Sequence, residues 1–415
     1  MKKGISRIFI GFIIPYFACF QLLAAYYDVL PEGVRMLVLK QVDVGTIDAT
    51  FSNNGQKSQY YLRQPFDANT LHTATPAFEV FFDELQAASQ QAYEEFRLAT
   101  FEADGEAKVK VKAFGVGYGL TNKLSVYGSF PFYKANVNLR IRQVQGNNNE
   151  AVLDNLDEAT KKNDVALLIN QGIPQLPTVN GALLQTVAKE VFNYNDLGDW
   201  EGSGPGDFEL GVIYQIKTWK DAGLAGSAGL VLPTGRVDDP DILQDIAFGD
   251  GQWDIFAEIG GGITALKGKL DFDSWLRYTI QLPATKELRV PTSYEFPLSD
   301  TKAEFKENRG DIITYSISSK WHFNDWFRIK SEYQVNYQGY SEYKSSNEKA
   351  NDILKQGTNS LAQIARLEGT FSTVKGFLKK KFIMPLESSI AVQRTFQGKN
   401  TPVMTRFDLE LRFLF

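Results

Sequence analysis

The chain has almost no cysteine and almost no histidine. Its 415 residues include one cysteine, Cys19, and two histidines, His72 and His322. Because Cys19 lies in a predicted export signal, we expect a mature protein without disulfides, thiol catalysis or cysteine-ligated metal. Neither histidine has a neighbouring serine and aspartate with which it would activate a nucleophile. The sequence therefore predicts that the protein is not an enzyme and that it holds no cofactor.

An excess of positive charge is also missing. Lysine and arginine number 44 against 49 aspartates and glutamates, so the formal net charge is -5. Without a basic field we predict no nucleic-acid partner. The acidic run Asp238–Asp241, followed by Asp245, offers the hard oxygen ligands that calcium prefers. Such a run is more often a solvated loop, and we predict no metal site.

Long hydrophobic runs are absent beyond the amino terminus. There, Lys2, Lys3 and Arg7 precede the apolar stretch Ile8–Leu23 and the small pair Ala24–Ala25, which is typical of a secretory signal. An uncleaved anchor helix is the alternative, but it needs about 20 apolar residues. We predict a signal peptide at 1–25 and a mature chain of 26–415. Without further runs of that length a helical membrane protein is excluded, whereas the alternating strands of a β-barrel hide their apolarity.

The end of the sequence shows such alternation most clearly. Large apolar residues alternate with charged ones, as Arg406, Phe407, Asp408, Leu409, Glu410, Leu411, Arg412, Phe413, Leu414 and Phe415. A period of two places the two sets on opposite faces of a strand. In an outer-membrane barrel the apolar face meets lipid and the charged face a wet lumen. A sandwich strand with one solvated face is the alternative. We predict that Phe413 and Phe415 are the signal recognised by the barrel-assembly machinery.

The same pattern recurs and predicts an all-β fold, a transmembrane antiparallel β-barrel of about 12 strands, with 14 as the alternative. The predicted strands are roughly 36–49, 106–120, 124–142, 207–218, 223–233, 252–266, 269–282, 311–323, 326–340, 360–373, 377–396 and 402–415. Short and long connections alternate between nearly all of them, as expected for periplasmic turns and extracellular loops. Pro385 falls inside one predicted strand, where we expect a bulge or kink.

Two connections are long, at about 50–105 and 143–206, and we expect helical insertions in these extracellular loops. Within the first, Ala77–Phe101 carries apolar residues at near-helical spacing, which predicts one amphipathic helix. Within the second, a helical patch runs near Ala182–Phe192. In a compact soluble domain, loops of this length would argue against the assignment of the strands.

In the alternating strands, the charged residues opposite the apolar face are predicted to point inward and line the lumen. They are Lys110, Arg140, Arg142, Asp254, Glu258, Asp271, Arg277, Arg328, Glu332, Glu410 and Arg412. Because both signs occur, these charges can pair across a lumen of modest width, and an open pore and a plugged one remain alternatives. Four aromatics around a predicted turn at Asn324–Asp325 are predicted to lie at the membrane interface, with core packing as the alternative. They are Trp321, Phe323, Trp326 and Phe327.

Three short motifs carry a resemblance to a known family. They are Gly117–Val126 (Gly-Tyr-Gly-Leu-Thr-Asn-Lys-Leu-Ser-Val), Gly206–Val212 (Gly-Asp-Phe-Glu-Leu-Gly-Val) and Leu230–Arg236 (Leu-Val-Leu-Pro-Thr-Gly-Arg). With them the chain resembles the outer-membrane family associated with the meta-pathway of phenol degradation, itself similar to the FadL-type transporters. The resemblance covers chiefly 113–236. It implies passive passage of small hydrophobic or aromatic molecules, and no individual binding residue follows from it.

The sequence thus predicts a barrel in the bacterial outer membrane, in contact with outer-membrane lipid, that admits small hydrophobic or aromatic solutes by diffusion. The rival is a plugged barrel that acts in adhesion or display through its long surface loops. A soluble secreted β-protein is a second rival. Permeability of the protein in a sealed bilayer distinguishes the first two interpretations, and extraction without detergent would identify the third.

Overall fold

The computed structural model describes residues 26–72, 76–156, 172–173, 180–292 and 299–415. The predicted signal peptide lies outside these residues. Twenty strands are present in the described residues. They are β1 Arg35–Ile47, β2 Ala49–Phe51, β3 Lys57–Gln59, β4 Tyr61–Asp67, β5 Arg97–Thr121, β6 Leu124–Gln145, β7 Trp200–Pro205, β8 Phe208–Trp219, β9 Ala222–Leu232, β10 Asp254–Ala265, β11 Leu270–Gln281, β12 Ala284–Arg289, β13 Lys302–Asn308, β14 Ile312–His322, β15 Phe327–Gln338, β16 Glu342–Lys344, β17 Ser360–Ser372, β18 Leu386–Lys399, β19 Thr401–Pro402 and β20 Thr405–Leu414.

Twelve strands close into one antiparallel barrel, in the order β1-β5-β6-β8-β9-β10-β11-β14-β15-β17-β18-β20. The ring closes where β20 hydrogen-bonds to β1, with Met36 opposite Leu414 and Val44 opposite Arg406. Closure leaves the ring without the unpaired edges that an open sheet exposes. The predicted twelve-stranded barrel is confirmed. The alternative of fourteen is wrong, because β4 and β7 join the sheet only beside β5 and β6 and do not contribute to its closure.

Both termini of the ring lie at the same end of the barrel, where Arg35 and Phe415 exchange backbone hydrogen bonds. We call this end the turn end and the opposite end the loop end. Most turn-end connections are two to four residues long, at 122–123, 220–221, 266–269 and 323–326. The connection between β17 and β18, residues 373–385, is longer and contains the short helix Val374–Leu378. Pro385 precedes β18, so the predicted strand start at 377 is wrong and Pro385 removes no hydrogen bond from the barrel wall.

The loop-end connections carry the remaining elements. Two three-stranded sheets lie there, β12-β13-β16 and β19-β2-β3. The helices there are Ala68–Leu71, Pro76–Ala88, Gln90–Glu95, Asn149–Asp154, Gly181–Thr186, the π-helix Val187–Val191, and Glu348–Lys355. The single helix predicted over Ala77–Phe101 is wrong in its extent, because Ser89 caps a second helix and β5 begins at Arg97. None of the helices in these ranges is long and apolar enough to cross a membrane.

The strands on one side of the barrel have apolar outer faces. In β11 Phe272, Leu276, Tyr278 and Ile280 are exposed, while the residues of the opposite face, such as Asp273, Trp275 and Arg277, are buried inside the barrel. In β20 the exposed set includes Phe407 and Leu409. Strands of 12 residues, such as β11, span about 40 Å. When tilted by about 45°, that length covers the apolar band of about 25 Å that an outer-membrane barrel presents to lipid.

Candidate functional site

Eight of the eleven residues predicted to line the lumen point into the barrel. They are Asp254, Glu258, Asp271, Arg277, Arg328, Glu332, Glu410 and Arg412, all buried or half-buried. Most of them lie on a charged inner surface formed by β11, β14, β15, β17, β18 and β20, which we call the charged wall. Its remaining charged members are Asp273, Lys320, Lys330, Arg366, Glu368, Glu387, Arg406 and Asp408. That these side chains line a path for solutes stays a prediction.

Ion pairs in the charged wall connect strands that are not neighbours. Arg328 of β15 reaches over β17 to Glu387 of β18, with both guanidinium–carboxylate distances at 2.9–3.0 Å. Arg366 of β17 reaches over β18 to Asp408 of β20, and its other terminal nitrogen lies 2.8 Å from Glu368. Such two-point pairs fix both partners, and each charge is compensated where water is largely excluded. The wall is therefore a network that holds its own strands together.

A second network crosses the barrel from β11 to β8. Arg277 donates to Glu209 at 2.8 Å, and Tyr127 donates to the same carboxylate at 2.7 Å. The guanidinium of Arg277 also lies 3.6 Å from the ring centre of Phe256. Glu209 was not among the predicted site residues, although the alternation of β8 places it on the same face as Asp207. Which inward charge pairs with which follows from strand order, and the period of two does not encode strand order.

The other three predicted residues do not point inward. Lys110, Arg140 and Arg142 are exposed, with Lys110 at 67% and the two arginines at 70% and 60% of their full side-chain area. They pair on the outer surface with Asp43, Asp104 and Glu102. Their assignment to the lumen is wrong. β5 has 25 residues, about 80 Å of strand, which is far longer than the part needed to cross an apolar band of about 25 Å. Its charged outer face, from Lys112 toward the loop end, therefore meets water outside the barrel.

The inner surface behind those charges is apolar. Between Lys108, Lys110 and Lys112 lie Val109 and Val111, which are buried. The residues that share this surface, which we call the apolar wall, come from β1, β5 and β6. They are Val42, Val44, Ile47, Ala107, Val109, Val111, Tyr133, Ala135 and Val137. The loop between β9 and β10 packs on them with Ile246 and Phe248, and the rings of Phe248 and Tyr133 stack at 5.4 Å.

A second apolar cluster continues the apolar wall toward the turn end. Met36, Val38 and Tyr127 form it with Val231 and Phe256. Leu30 completes the cluster from the segment that precedes β1, residues 26–34. That segment enters the barrel from the turn end. The backbone N–H of Leu30 donates to the hydroxyl of Ser125 at 2.8 Å, and that of Tyr26 to Asp273 at 3.2 Å.

Two of the sequence motifs meet in a hydrogen-bonded clasp at the loop end of β8. The carboxylate of Asp207 accepts from the backbone N–H of Gly235 at 2.8 Å and of Asp250 at 3.3 Å. Thr234 donates to the carbonyl of Gly206 at 3.0 Å. Burial raises the pKa of Asp207 to about 6, with the nearby Asp250 adding to the effect and the two backbone donors opposing it.

The acidic run considered for calcium has other partners. Asp245 pairs with Arg236, and Asp241 pairs with Arg289 and with Lys302, the last at 3.0 Å. These cations neutralise carboxylates that a calcium ion would need as ligands. Within the described part of the chain, no group of three or more His, Cys, Asp or Glu side chains is arranged to hold a metal ion.

Both histidines hydrogen-bond to carboxylates. His322, at the turn end of β14, lies 2.6 Å from Asp271. His72 lies at the loop end, 3.0 Å from Asp83 and 2.9 Å from the hydroxyl of Tyr93. These contacts account for the positions of the two imidazoles within the barrel wall and the loop-end helices.

The four predicted interface aromatics meet on the outside of the turn end. The ring of Phe323 lies 6.4 Å from that of Trp321 and 5.6 Å from that of Phe327. Trp326 contacts Phe371 of β17 at 5.7 Å. All except the half-buried Phe327 are exposed, so core packing does not explain them. Their place at a membrane interface stays a proposal.

Comparison with known proteins supports the fold. No family model matches the chain, and no curated protein matches its sequence. Among solved structures, the COG4313 outer membrane channel from Pseudomonas putida F1 is similar at a TM-score of 0.51 and 12% identity, over 94% of this chain and 98% of that one.

Two further solved structures align over most of their length. The FadL homologue from Pseudomonas aeruginosa aligns at a TM-score of 0.35 and 7% identity, over 94% of this chain and 92% of that one. The toluene transporter TbuX from Ralstonia pickettii aligns at a TM-score of 0.34 and 12% identity, over 92% and 90%. At these identities the likenesses concern the fold alone.

Proposed function

We propose that this chain is a channel of the bacterial outer membrane through which small hydrophobic or aromatic solutes diffuse passively. The observation that carries the proposal is the apolar wall, which lies inside the barrel and continues toward the turn end through the cluster around Val38 and Phe256. An apolar solute gains about 25 cal/mol for each Å² of its surface that such a wall covers.

Two segments occupy this route. At the loop end, Ile246 and Phe248 cover the apolar wall. At the turn end, the segment 26–34 lies inside the barrel, and its Leu30 packs on the second apolar cluster. We infer that passage requires displacement of both segments, the loop around Phe248 and residues 26–34. The stacking of Phe248 on Tyr133 and the approach of Arg236 to the same ring, at 4.9 Å, hold the loop in its closed position.

The test is uptake of a small aromatic hydrocarbon into liposomes that contain the full chain. Phe248→Ala removes the covering ring and is expected to raise the uptake rate. Ala135→Phe places a ring on the apolar wall and is expected to lower it, because Ala135 is fully buried there. The matched control is Asn136→Phe, whose side chain points outward on the same strand.

Heat-dependent gel migration must show that each variant is a closed barrel before uptake is compared. Equal rates for Phe248→Ala, Ala135→Phe and the control would contradict the proposed route. A bilayer that stays sealed with folded wild-type protein would favour the rival, a plugged barrel that acts through its surface loops.

A specific feature favours that rival. The loop-end helices have an apolar core of their own, in which Phe82, Leu85, Phe96 and Val152 are almost completely buried. A folded cap of this kind is able to display a binding surface without any solute passing below it. Under that hypothesis, replacing loop residues on the cap surface would abolish adhesion of cells while the permeability of the bilayer stays at the background level.

We further propose that Phe413 and Phe415 act in assembly, on the grounds of their position. Phe415 is 67% exposed next to the closing pair of strands, and its backbone bonds to Arg35 at 2.8 and 2.9 Å. Deletion of Phe415 should lower the amount of heat-modifiable protein in outer-membrane fractions several-fold, whereas Phe415→Tyr should not. An unchanged yield after deletion would contradict recognition of this residue by the assembly machinery.

A further inference from the structure

The connection between β17 and β18, residues 373–385, is an ordered structure. We call it the basic turn. Thr373 fixes both of its ends, because its hydroxyl donates to the carbonyl of Met384 at 2.7 Å and accepts from the backbone N–H of Leu386 at 2.8 Å. Lys380 has a φ of 58°, and the backbone N–H of Lys381 donates to the carbonyl of Gly376 at 2.8 Å. The segment therefore presents its side chains in a defined arrangement.

The exposed side chains of the basic turn are mainly large and apolar. Ile383 is 97% exposed and Leu378 75%, and Phe377, Phe382 and Met384 are also exposed. Five such residues within the eight positions 377–384 expose much apolar surface, which in soluble surroundings marks a binding surface. The other turn-end connections need only two to four residues to join their strands. Strand connection alone therefore does not explain the length or the composition of this one.

The same segment carries four lysines. Asp325 of the neighbouring turn pairs with Lys379 at 2.5 Å and approaches Lys375 at 3.7 Å. Among the described residues, neither Lys380 nor Lys381 pairs with a carboxylate, and both side chains are exposed. Four positive charges against one negative charge leave an excess of three. The chain as a whole is acidic, at -5, so this is a local basic surface on an acidic protein.

The location of the basic turn decides which partner fits it. Asp325 is followed by Trp326, whose ring contacts Phe371 at the end of β17. The basic turn is thus continuous with the exposed aromatics at the turn end, which have the composition of a membrane-interface girdle. Apolar side chains that enter acyl chains, together with lysines at headgroup level, are the features by which amphipathic segments bind acidic bilayer surfaces.

We propose that the basic turn binds acidic phospholipids of the bilayer leaflet at the turn end, with Ile383 and Leu378 among the acyl chains and Lys380 and Lys381 on the phosphates. A lysine near an acidic membrane surface strengthens binding by about 1 kcal/mol, which is about five-fold in affinity. The proposal rests on the barrel fold and the position of its turn end. It does not depend on which solute the channel passes.

The test uses the folded full chain in detergent and measures binding of phosphatidylglycerol and phosphatidylcholine by native mass spectrometry. The variant is Lys380→Gln with Lys381→Gln, which leaves the ion pairs of Asp325 in place. The matched control is Lys267→Gln with Lys269→Gln in the turn between β10 and β11, where Lys267 has a similar φ of 57°. We expect the preference for phosphatidylglycerol to fall at least five-fold in the variant and to persist in the control.

A second variant tests the apolar part. Ile383→Ser should weaken the binding of both lipids and leave the preference for the acidic one. Heat-dependent gel migration confirms that each variant is folded. Equal binding of both lipids by the wild type, or an unchanged preference after loss of both lysines, would overturn the proposal. Lysine-dependent capture of a purified soluble protein, without any lipid preference, would overturn it in favour of a protein partner.

Discussion

The apolar wall and the charged wall follow the same alternation and bury opposite kinds of side chain. In β20 the apolar residues face outward and the charged ones inward, as in a strand that crosses a bilayer. In the middle of β5, at positions 108–112, the lysines face outward and the valines inward, as in a strand of a soluble protein. A period of two thus shows that a strand has two different faces. Which face is inside depends on whether that part of the strand is surrounded by lipid or by water.

The charged wall and the apolar wall also stabilise the barrel by two different interactions. The charged wall is held by buried pairs such as Arg366 with Asp408, and the loss of Arg366 leaves Asp408 and Glu368 buried with fewer positive partners. The apolar wall is held by burial of hydrocarbon around Val111 and Tyr133, which has no directional requirement. Variants in the two walls should therefore differ in the size and the pH dependence of their effects.

The largest effect is expected in the charged wall. Arg366→Met removes the cation shared by Asp408 and Glu368 and should lower the free energy of unfolding by about 3 kcal/mol, since one partner of a buried pair is lost. Lys110→Met, which breaks an exposed pair with Asp43, should cost less than about 1 kcal/mol. The measurement is urea unfolding in detergent, followed by the loss of heat-modifiable migration. Similar midpoints for the two variants would contradict the placement of Arg366 inside the barrel.

A smaller effect is expected in the apolar wall. Val111→Thr places a hydroxyl among buried hydrocarbon and should cost about 1–3 kcal/mol if the hydroxyl finds no partner. Lys112→Thr, one residue along the same strand, should change stability by less than about 0.5 kcal/mol, because its side chain is exposed. The same unfolding assay applies. A reversed order of the two variants would mean that the faces of β5 are assigned the wrong way round.

The smallest effect is expected at the clasp that Asp207 forms beside the apolar wall. Because its pKa is raised from 3.8 to about 6 in the folded chain, the unfolded chain loses this proton first as pH rises. Stability from this group is therefore full below about pH 4 and is lost as pH rises from about 4 through about 6, and about 1–2 kcal/mol of that loss falls between pH 5 and pH 7. Asp207→Asn should remove that decline. Unfolding at pH 5 and pH 7 checks this, and an unchanged difference between the two pH values in the variant would contradict it.

Much of the fold follows from sequence alone, and the reasons are local. Alternation in β8 to β20 fixed most strand positions to within a few residues, and tight turns such as Asn122–Lys123 fixed the hairpins. The errors occurred where long-range context decides. Apolar residues spaced over Ala77–Phe101 fit a helix, but pairing with β4 and β6 makes the end of that stretch a strand. Pro385 is predicted inside a strand but precedes β18, and the helix Val374–Leu378 before it is too short to show a helical period in the sequence.

The candidate site was predicted in part for the same reason. The alternation of apolar and charged residues predicts correctly that Arg277 and Glu410 point inward, because in their strands the outer face is apolar. The same reasoning is wrong for Arg140 and Arg142, because nothing in the local sequence marks where the outer face of β6 changes from apolar to charged side chains. The pairing of Arg277 with Glu209 requires the strand order of the closed barrel, in which β9 and β10 lie between their strands.

The most direct test of this account is thiol labelling along β5 in intact cells. Residues 26–415 contain no cysteine, so single substitutions at each position from Lys108 to Lys112 provide unique labelling sites. With a bulky, water-soluble maleimide, the account predicts strong labelling at positions 108, 110 and 112 and little at positions 109 and 111. Labelling at 109 and 111 with protection at the lysine positions would contradict an apolar inner wall at the loop end of the barrel.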